Sequence, residues 1–462
     1  MKILLGLAST PDANGNLERC RAGLTELGPE LGFDLVVSER PLLERADAEA
    51  AARQFADRQV DIVLLLCNTF TPNGDVVLPF AELPARLGLW ALPEPTRQGP
   101  LQLTSLVALN LFSSMMQRFG QGNQPRFKWF FGNVSEPSFR GRLRATVGAV
   151  RVIKGLQGAI IGCIGGHAPG FANLQFDAQV LESTLGVKVQ HLPLETVLEE
   201  VRKCGPRETK EWGERLIARA TRVSCSVADL TATARIALAL ERVQTNSGFS
   251  ALAVSCWPRF HQELGVFPCV AYGTLNASGT IVSCEGDVLG AVTLLCLSLA
   301  GNSRPVLMDL VSLLEAEDAA CFWHCGLATW NLADAQGVRL ITRPVGNPDG
   351  SVSQAGGFAD VTFASGPVTV ARISHNGSIM LLASGNITSQ LGPSYEGSGG
   401  WVTHLQMRHR SVTPLQFVDA VAQHGVEHHY AILPEDVTDA MLELAAWLRL
   451  DVIDPGVVYD HL

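Results

Sequence analysis

Two hydrophobic patterns alternate along the first hundred residues. Short apolar runs, "KILLGLA" (2–8), "FDLVVSE" (33–39), "VDIVLLLC" (60–67) and "GLWALPEP" (88–95), read as strands. Between and after them, "NLERCRAGLTELGPEL" (16–31), "ADAEAAARQFADRQ" (46–59) and "LTSLVALNLFSSMMQRFG" (103–120) read as helices. Strands with almost no polar interruption, separated by helices, predict a parallel sheet covered on both faces.

The alternation restarts near Gln157. "GAIIGCIGG" (158–166) is a strand ending in a glycine turn, "FDAQVLESTLG" (176–186) a helix and "VKVQHLPL" (187–194) a strand. Helical pattern then runs through "ETKEWGERLIARA" (208–220) and "ADLTATARIALALERVQTNSG" (228–248) to a strand at "ALAVSCWP" (251–258). "TIVSCEGDVLG" (280–290) reads as a strand that stops at a cysteine and opens a buried helix, "AVTLLCLSLAG" (291–301). "PVLMDLVSLL" (305–314) and "AACFWHCG" (319–326) predict two further strands. From about Gly326 the texture becomes glycine-rich and alternating, as strands with one buried face are. "LQFVDAVAQHG" (415–425) and "DAMLELAAWLRLDVID" (439–454) return to helices and one strand. The expected fold class is α/β, with two doubly wound parallel-sheet domains followed by a smaller, mainly β, barrel-like C-terminal domain. The boundaries read as 1–152, 153–328 and 329–462.

Composition narrows the function. The chain has 462 residues, 47% of them apolar and 17% charged, and a net charge of −10. That is a protein with large cores, and its acidity with no basic run argues against a nucleic-acid surface. No apolar stretch is long enough to span a membrane. The N-terminus reads as a first strand rather than a signal peptide. Eleven cysteines, an odd number without CxxC spacing, read as free thiols of a reducing cytoplasm.

Few segments carry chemistry. Gly162, Gly165 and Gly166 in "IGCIGGHAPG" do not fit GxGxxG, so a plain structural turn is expected there. There is no GxSxG, and the cysteines sit in strands as small hydrophobes. The acids and histidines stand out more. Glu285 follows a strand, Asp309 lies in "VLMDLV", His324 in "FWHCG", and His428 and His429 in "GVEHHY". Ligands in open α/β sheets collect at the carboxyl ends of strands. Mixed carboxylate and imidazole donors suit Mn²⁺, Mg²⁺, Co²⁺ or Zn²⁺. Taken singly, each has a bland reading: a hydrogen-bonded core Asp, a packed histidine pair, or Asp287 capping a helix.

Read together, these motifs resemble the L-fucose isomerase and L-arabinose isomerase superfamily. "SCEGD" resembles its metal-binding glutamate, "LMDL" its second acidic ligand, "HCG" the histidine of the arabinose branch, and "EHHY" the motif of the last ligand. "CWPRFHQELGVFPC" (256–269) and "GPVTVARI" (366–373) are similar to motifs of the fucose-isomerase-like group, and "NTFTP" (68–72) to a loop of the arabinose branch. The motifs follow in the expected order over most of the chain. Features of both branches are mixed, which leaves the sugar open.

The resemblance implies a metal-dependent aldose–ketose isomerase working through a cis-enediol. Its substrate would be a monosaccharide: a deoxyhexose, a pentose or an anionic derivative such as a sulfo-sugar. Glu285 and Asp309 would be both metal ligands and the acid–base pair. His429, favoured over His428 by analogy, would complete the shell of a divalent ion, Mn²⁺ first, with Mg²⁺ and Co²⁺ as alternatives. Substrate contacts would come from Trp257, Arg259, His261, His324, His428, Thr69 and Phe70. Arg259 and His261 suit hydroxyls or an anionic tail. The "NTFTP" loop would reach a neighbouring subunit's site in a homo-oligomer, and hexamers are common in the family. The rival readings are a non-catalytic sugar-binding protein and a sugar epimerase of the same fold.

Overall fold

The computed structural model describes residues 2–12, 14–120, 127–327, 330–346, 351–392 and 394–456. The chain falls into two compact units, Met1–Lys154 and Gly155–Leu462.

In the first unit, β1 (Ile3–Ser9), β2 (Phe33–Val37), β3 (Ile62–Cys67), β4 (Arg86–Ala91) and β5 (Phe127–Phe131) form one parallel sheet in the order β2-β1-β3-β4-β5. Helices α1 (Asn16–Leu31), α2 (Arg45–Asp57), α3 (Ser105–Phe119) and α4 (Pro137–Leu156) connect it. The unbroken apolar run of β3 has a direct reason. Val63, Leu65 and Cys67 pack into one core with Phe55, Phe80 and Phe112. Ile62, Leu64 and Leu66 pack into the other with Leu24, Trp90 and Phe139. Alternate side chains serve opposite faces, and both faces are covered. The sequence reading left out β5 and α4. β5 carries Lys128 and an exposed Trp129, so it lacks the apolar run that marks the other strands. In α4 the basic residues mask a buried stripe of Phe139, Leu143, Val147 and Val150 at helical spacing.

The second unit opens with β6 (Ile160–Ile164), α5 (Ala178–Leu185), β7 (Lys188–Leu192), α6 (Glu195–Lys203), α7 (Pro206–Arg219) and β8 (Ala220–Val223). Next come α8 (Val227–Ser247), β9 (Ala251–Val254), α9 (Arg259–Leu264), α10 (Cys269–Ser278), β10 (Val282–Ser283) and α11 (Val288–Ala300). Strands β10-β9-β6-β7 make a second parallel sheet in that order. The remainder is mainly β: β11 (Val306–Leu314), β12 (Ala319–His324), β13 (Val338–Gly346), β14 (Val352–Thr362), β15 (Gly366–Ser374), β16 (Ile379–Thr388), β17 (Ser398–Met407) and β18 (Arg410–Ser411). It ends with α12 (Pro414–Gln423), β19 (His429–Leu433), α13 (Thr438–Leu448) and β20 (Asp451–Val452).

Six of these strands close on themselves. β16, β15, β19, β11, β12 and β17 pair antiparallel in sequence, and β17 pairs back to β16. Closure removes the exposed edges of the sheet. The pairing of β11 and β12 differs from the sequence reading, which put them with the second α/β segment. Only Glu315–Asp318 separates them, a turn that can join antiparallel neighbours but not a parallel crossover.

Helix α11 lies between the second parallel sheet and the barrel, touching β6 and β9 on one side and β15 and β19 on the other. Its residues from Val288 to Leu297 are all buried, which explains its uniformly apolar sequence. Thr293 makes a polar contact from α11 to the barrel: the hydroxyl accepts the Ile373 N–H at 3.0 Å and donates to the Leu289 carbonyl at 2.7 Å. Thr293→Val keeps the volume and orphans that buried N–H. It should lower the unfolding free energy by about 1–3 kcal/mol. Urea unfolding measures it, and an unchanged stability would show that this bond does not fasten α11 to β15.

Candidate functional site

The chain leaves β10 through a turn that few side chains tolerate. Glu285 (φ 60°) and Gly286 (φ 72°) are both left-handed, and Asp287 then begins α11. Three backbone bonds hold it: Gly286 N–H to Val254 O (3.0 Å), Asp287 N–H to Cys284 O (3.0 Å) and Ala168 N–H to Glu285 O (2.9 Å). A Cβ on Gly286 would lie 2.0 Å from the Gly166 carbonyl oxygen, so the loop after β6 presses directly on the turn. Non-glycine residues held in the left-handed region cluster at functional sites, so the strain at Glu285 singles it out as a candidate.

Asp287 does two things. Its Oδ1 caps α11 by accepting the Gly290 N–H at 2.8 Å. It also meets Arg372 of β15 through both oxygens, Nη2 to Oδ1 at 3.1 Å and Nη1 to Oδ2. Arg372 is completely buried and also donates from Nε to Glu427 at 3.2 Å. Burial would raise the Asp287 pKa; the guanidinium and His429 outweigh it and hold the carboxyl below the usual range.

His429 starts β19, directly opposite Asp309 of β11. Its Nδ1 lies 2.9 Å from Asp287 Oδ2, which can only accept, so the proton sits on Nδ1. The lone pair of Nε2 therefore points at two more acceptors, Glu285 Oε2 at 3.6 Å and Asp309 Oδ1 at 3.8 Å. Asp309 Oδ1 is buried with no hydrogen-bond partner among the described residues. Acceptors that face one another, one of them buried without a donor, fit a cation, and a histidine oriented by a carboxylate behind it is the usual form of a metal ligand. Two sets of side chains lie close enough to share an ion: Glu285, His428 and His429, and Asp309, His324 and His429.

His428 differs from its neighbour. Asn173 donates to Nδ1 at 3.4 Å, so Nε2 carries the proton and gives it to Glu285 at 3.2 Å. Its ring stacks on Phe171, 5.2 Å between centroids. The bond to Glu285 raises the His428 pKa, more than burial lowers it. For Glu285, burial opposes and the His428 bond with the other histidines prevails, lowering its pKa. His324, buried at the end of β12, has its Nδ1 2.9 Å from the Cys325 N–H and 3.3 Å from the Cys325 sulfur. Burial would lower its pKa; the Cys325 sulfur and the Asp309 and Glu285 carboxylates raise it.

Glu285, Asp309, His324, His428 and His429 thus come together from four separate segments. Trp257 and Arg259 line a cleft at the end of β9, and Arg259 is ion-paired to Glu195 and Glu263. His261 stands apart from that lining, stacked on Phe267 at 4.9 Å. Thr69 and Phe70 belong to the first unit. There the Thr69 hydroxyl donates to Pro11 O at 2.9 Å, and the Phe70 N–H donates to Leu103 O with its ring exposed. Sequence reasoning passed over Arg372 and Glu427. Arg372 had a signal, a lone charge inside the apolar "VTVARI", but its partner is visible only in three dimensions.

No family model matches this chain. Its curated relatives are isomerases of one sugar. The sulfoquinovose isomerase of Priestia megaterium is 29% identical over 401 residues, covering 85% of each chain. That of Alkalicoccus urumqiensis is 27% identical over 375 residues, 79% of this chain and 80% of its own. That of Clostridium sp. (strain MSTE9) is 26% identical over 369 residues, 79% of each. Among solved structures, a periplasmic solute-binding protein of an ABC transporter from Actinobacillus succinogenes with bound D-allose aligns at 10% identity. It covers 64% of this chain and 91% of its own at a TM-score of 0.18, too low to carry an argument.

Removing Arg372 tests the network. Arg372→Met leaves Asp287 and Glu427 buried without their cation and should cost about 3–5 kcal/mol of stability by denaturant unfolding. The Asp287 pKa is depressed, so its contribution is present above the ordinary value of 3.8 and is lost as pH falls through the lower folded value. In the variant that protection is gone, and acid unfolding should begin at a higher pH. Identical acid transitions in the two proteins would rule the account out.

Proposed function

We propose that this chain is an aldose–ketose isomerase acting on a sulfonated monosaccharide, with sulfoquinovose the first substrate to try. One observation supports it above the rest: Glu285 and Asp309 both face His429 Nε2, and the buried Asp309 Oδ1 has no hydrogen-bond partner among the described residues. The named activity of the relatives agrees with that chemistry.

Glu285, Asp309 and His429 would hold a divalent cation, Mn²⁺ first and Mg²⁺ or Co²⁺ next. When bound, it supplies Lewis-acid polarisation of the reacting oxygens. The chain's own groups move the protons. One carboxylate of the Glu285–Asp309 pair takes the C2 proton of the aldose while the aldehyde oxygen O1 gains one. The cis-enediol then receives a proton at C1 as the O2 hydroxyl gives up its own, which leaves the ketose. His428 donates to Glu285 and keeps that carboxylate ionised and aimed. Asp287 fixes the tautomer and tilt of His429. His324 contacts a sugar hydroxyl or joins the ligands, and Trp257 offers an apolar face to the ring.

The fold reading extends in the same way. The second unit would combine a doubly wound domain with a barrel of the kind the isomerase superfamily implies. Thr69 and Phe70 would serve a neighbouring subunit's site in a homo-oligomer, and the eleven free cysteines favour a cytoplasmic setting. No helix among the described residues is long and apolar enough to cross a membrane.

Incubation with sulfoquinovose and Mn²⁺, with the products separated, should give the corresponding ketose. Chelation should abolish conversion, and Mn²⁺ should restore it. Glu285→Gln should reduce kcat by at least about 10²-fold with the melting temperature preserved. Turnover that survives both treatments would sink the reading. Sugar binding without any conversion would favour the binding-protein alternative. Full activity of a dilute monomer would refute the shared site.

A further inference from the structure

Beyond the carboxylate cluster, the carboxyl end of the second parallel sheet carries another feature. The winding reverses between β6 and β9, because β7 is laid on one side of β6 and β9 on the other. Open parallel sheets bind ligands outside the strand ends at such a reversal. A cleft of about 600 Å³ opens there. His167 follows β6, Ser255, Trp257 and Arg259 follow β9, and His191 comes from β7. No Asp or Glu lines this cleft, although the chain has a net charge of −10.

Its donors are largely unpaired. Glu195 (3.1 Å) and Glu263 both bond Arg259 through Nη2. Nη1 and Nε have no partner among the described residues. His167 uses Nδ1 against the Ala168 carbonyl at 3.2 Å and leaves Nε2 free. His191 lies flat on Phe176, centroids 5.8 Å apart and planes 6° apart, with no hydrogen bond on its ring. The cleft adjoins the carboxylate cluster. Ala168, next to His167, is the residue whose N–H bonds the Glu285 carbonyl, and Gly166 packs on Gly286.

We propose that this cleft is the subsite for the tetrahedral anion at the far end of the sugar, a sulfonate, with Arg259 and His167 as its principal donors. The inference rests on the isomerase reading above. A sugar whose C1 and C2 lie among Glu285, Asp309 and His429 must keep an anionic C6 group away from those carboxylates. The neighbouring cleft, whose lining has no carboxylate among the described residues, takes it. Arg259 shares its charge with two glutamates, so the cleft offers donors more than net charge. That suits a sulfonate monoanion better than a phosphate dianion.

The test compares kcat/KM for sulfoquinovose, 6-deoxyglucose and glucose 6-phosphate in the wild type, Arg259→Met and His167→Asn. The wild type should prefer sulfoquinovose. In Arg259→Met its preference over 6-deoxyglucose should fall about 10- to 100-fold, the worth of a lost charged hydrogen bond. His167→Asn should move it in the same direction. An unchanged ratio in both variants overturns the subsite, and a wild-type preference for glucose 6-phosphate overturns the sulfonate assignment. A wild-type protein that converts no sulfoquinovose sinks the isomerase reading instead. Calorimetry then decides the subsite: sulfoquinovose binding that Arg259→Met weakens at least tenfold upholds it, and unaffected or absent binding overturns it.

Discussion

A guanidinium with no access to water fixes the centre of this molecule. Arg372 sits in β15, fully buried, with Asp287 on one side and Glu427 on the other. Burying three charges is costly, and apolar residues of the same volume would often be as stable. The arrangement gains definition instead. Asp287 must stay ionised to match Arg372, and an ionised Asp287 can only accept the hydrogen bond from His429 Nδ1–H. One salt bridge therefore decides which nitrogen of His429 is available to the site. It also ties the start of α11, the middle of β15 and the start of β19 to one point.

Helix α11 carries that decision across the second unit. It is apolar on every face because the parallel sheet lies on one side and the barrel on the other. A helix with no solvent face leaves the chain few places for charge, and these concentrate at its N-terminus. Glu285 and Asp287 are two residues apart there and face different environments. Asp287 points inward to Arg372; Glu285, in its left-handed turn, points to His428 and His429. The turn also explains Gly286, which has the Gly166 carbonyl where a side chain would be.

How much of this could be read from the sequence depended on the range of the interaction. Most strands of the two parallel sheets were legible because covering on two faces leaves an unbroken apolar run, as in β3; β5, with Lys128 and an exposed Trp129, has no such run and was missed. The cap at Asp287 was legible because it is local, three residues from Gly290. Glu285, Asp309 and the histidine pair were marked by the order and spacing of resembling motifs, not by local periodicity, since 143 residues separate Glu285 from His428. Arg372 and Glu427 were missed because the lone charge in "VTVARI" has no visible partner until the fold brings Glu427 and Asp287 to it. The hairpin of β11 and β12 could have been read, since four residues cannot cross over a sheet. It was masked by apolar strands that mimic a parallel sheet.

The carboxyl edge of the second sheet is divided by charge. The end of β10 leads into Glu285, while the ends of β6, β7 and β9 bring histidines, Ser255 and Arg259 with no acid among the cleft's lining. A net charge of −10 says nothing of this division, because it averages over a surface and the division lies within one cleft. A ligand neutral at one end and anionic at the other has one favourable direction along such an edge. The carboxylates repel the anion, and the donors have nothing to give a cation. Orientation then follows from groups carried just beyond the strand ends, in the turns after β6 and β9 and at the start of α9.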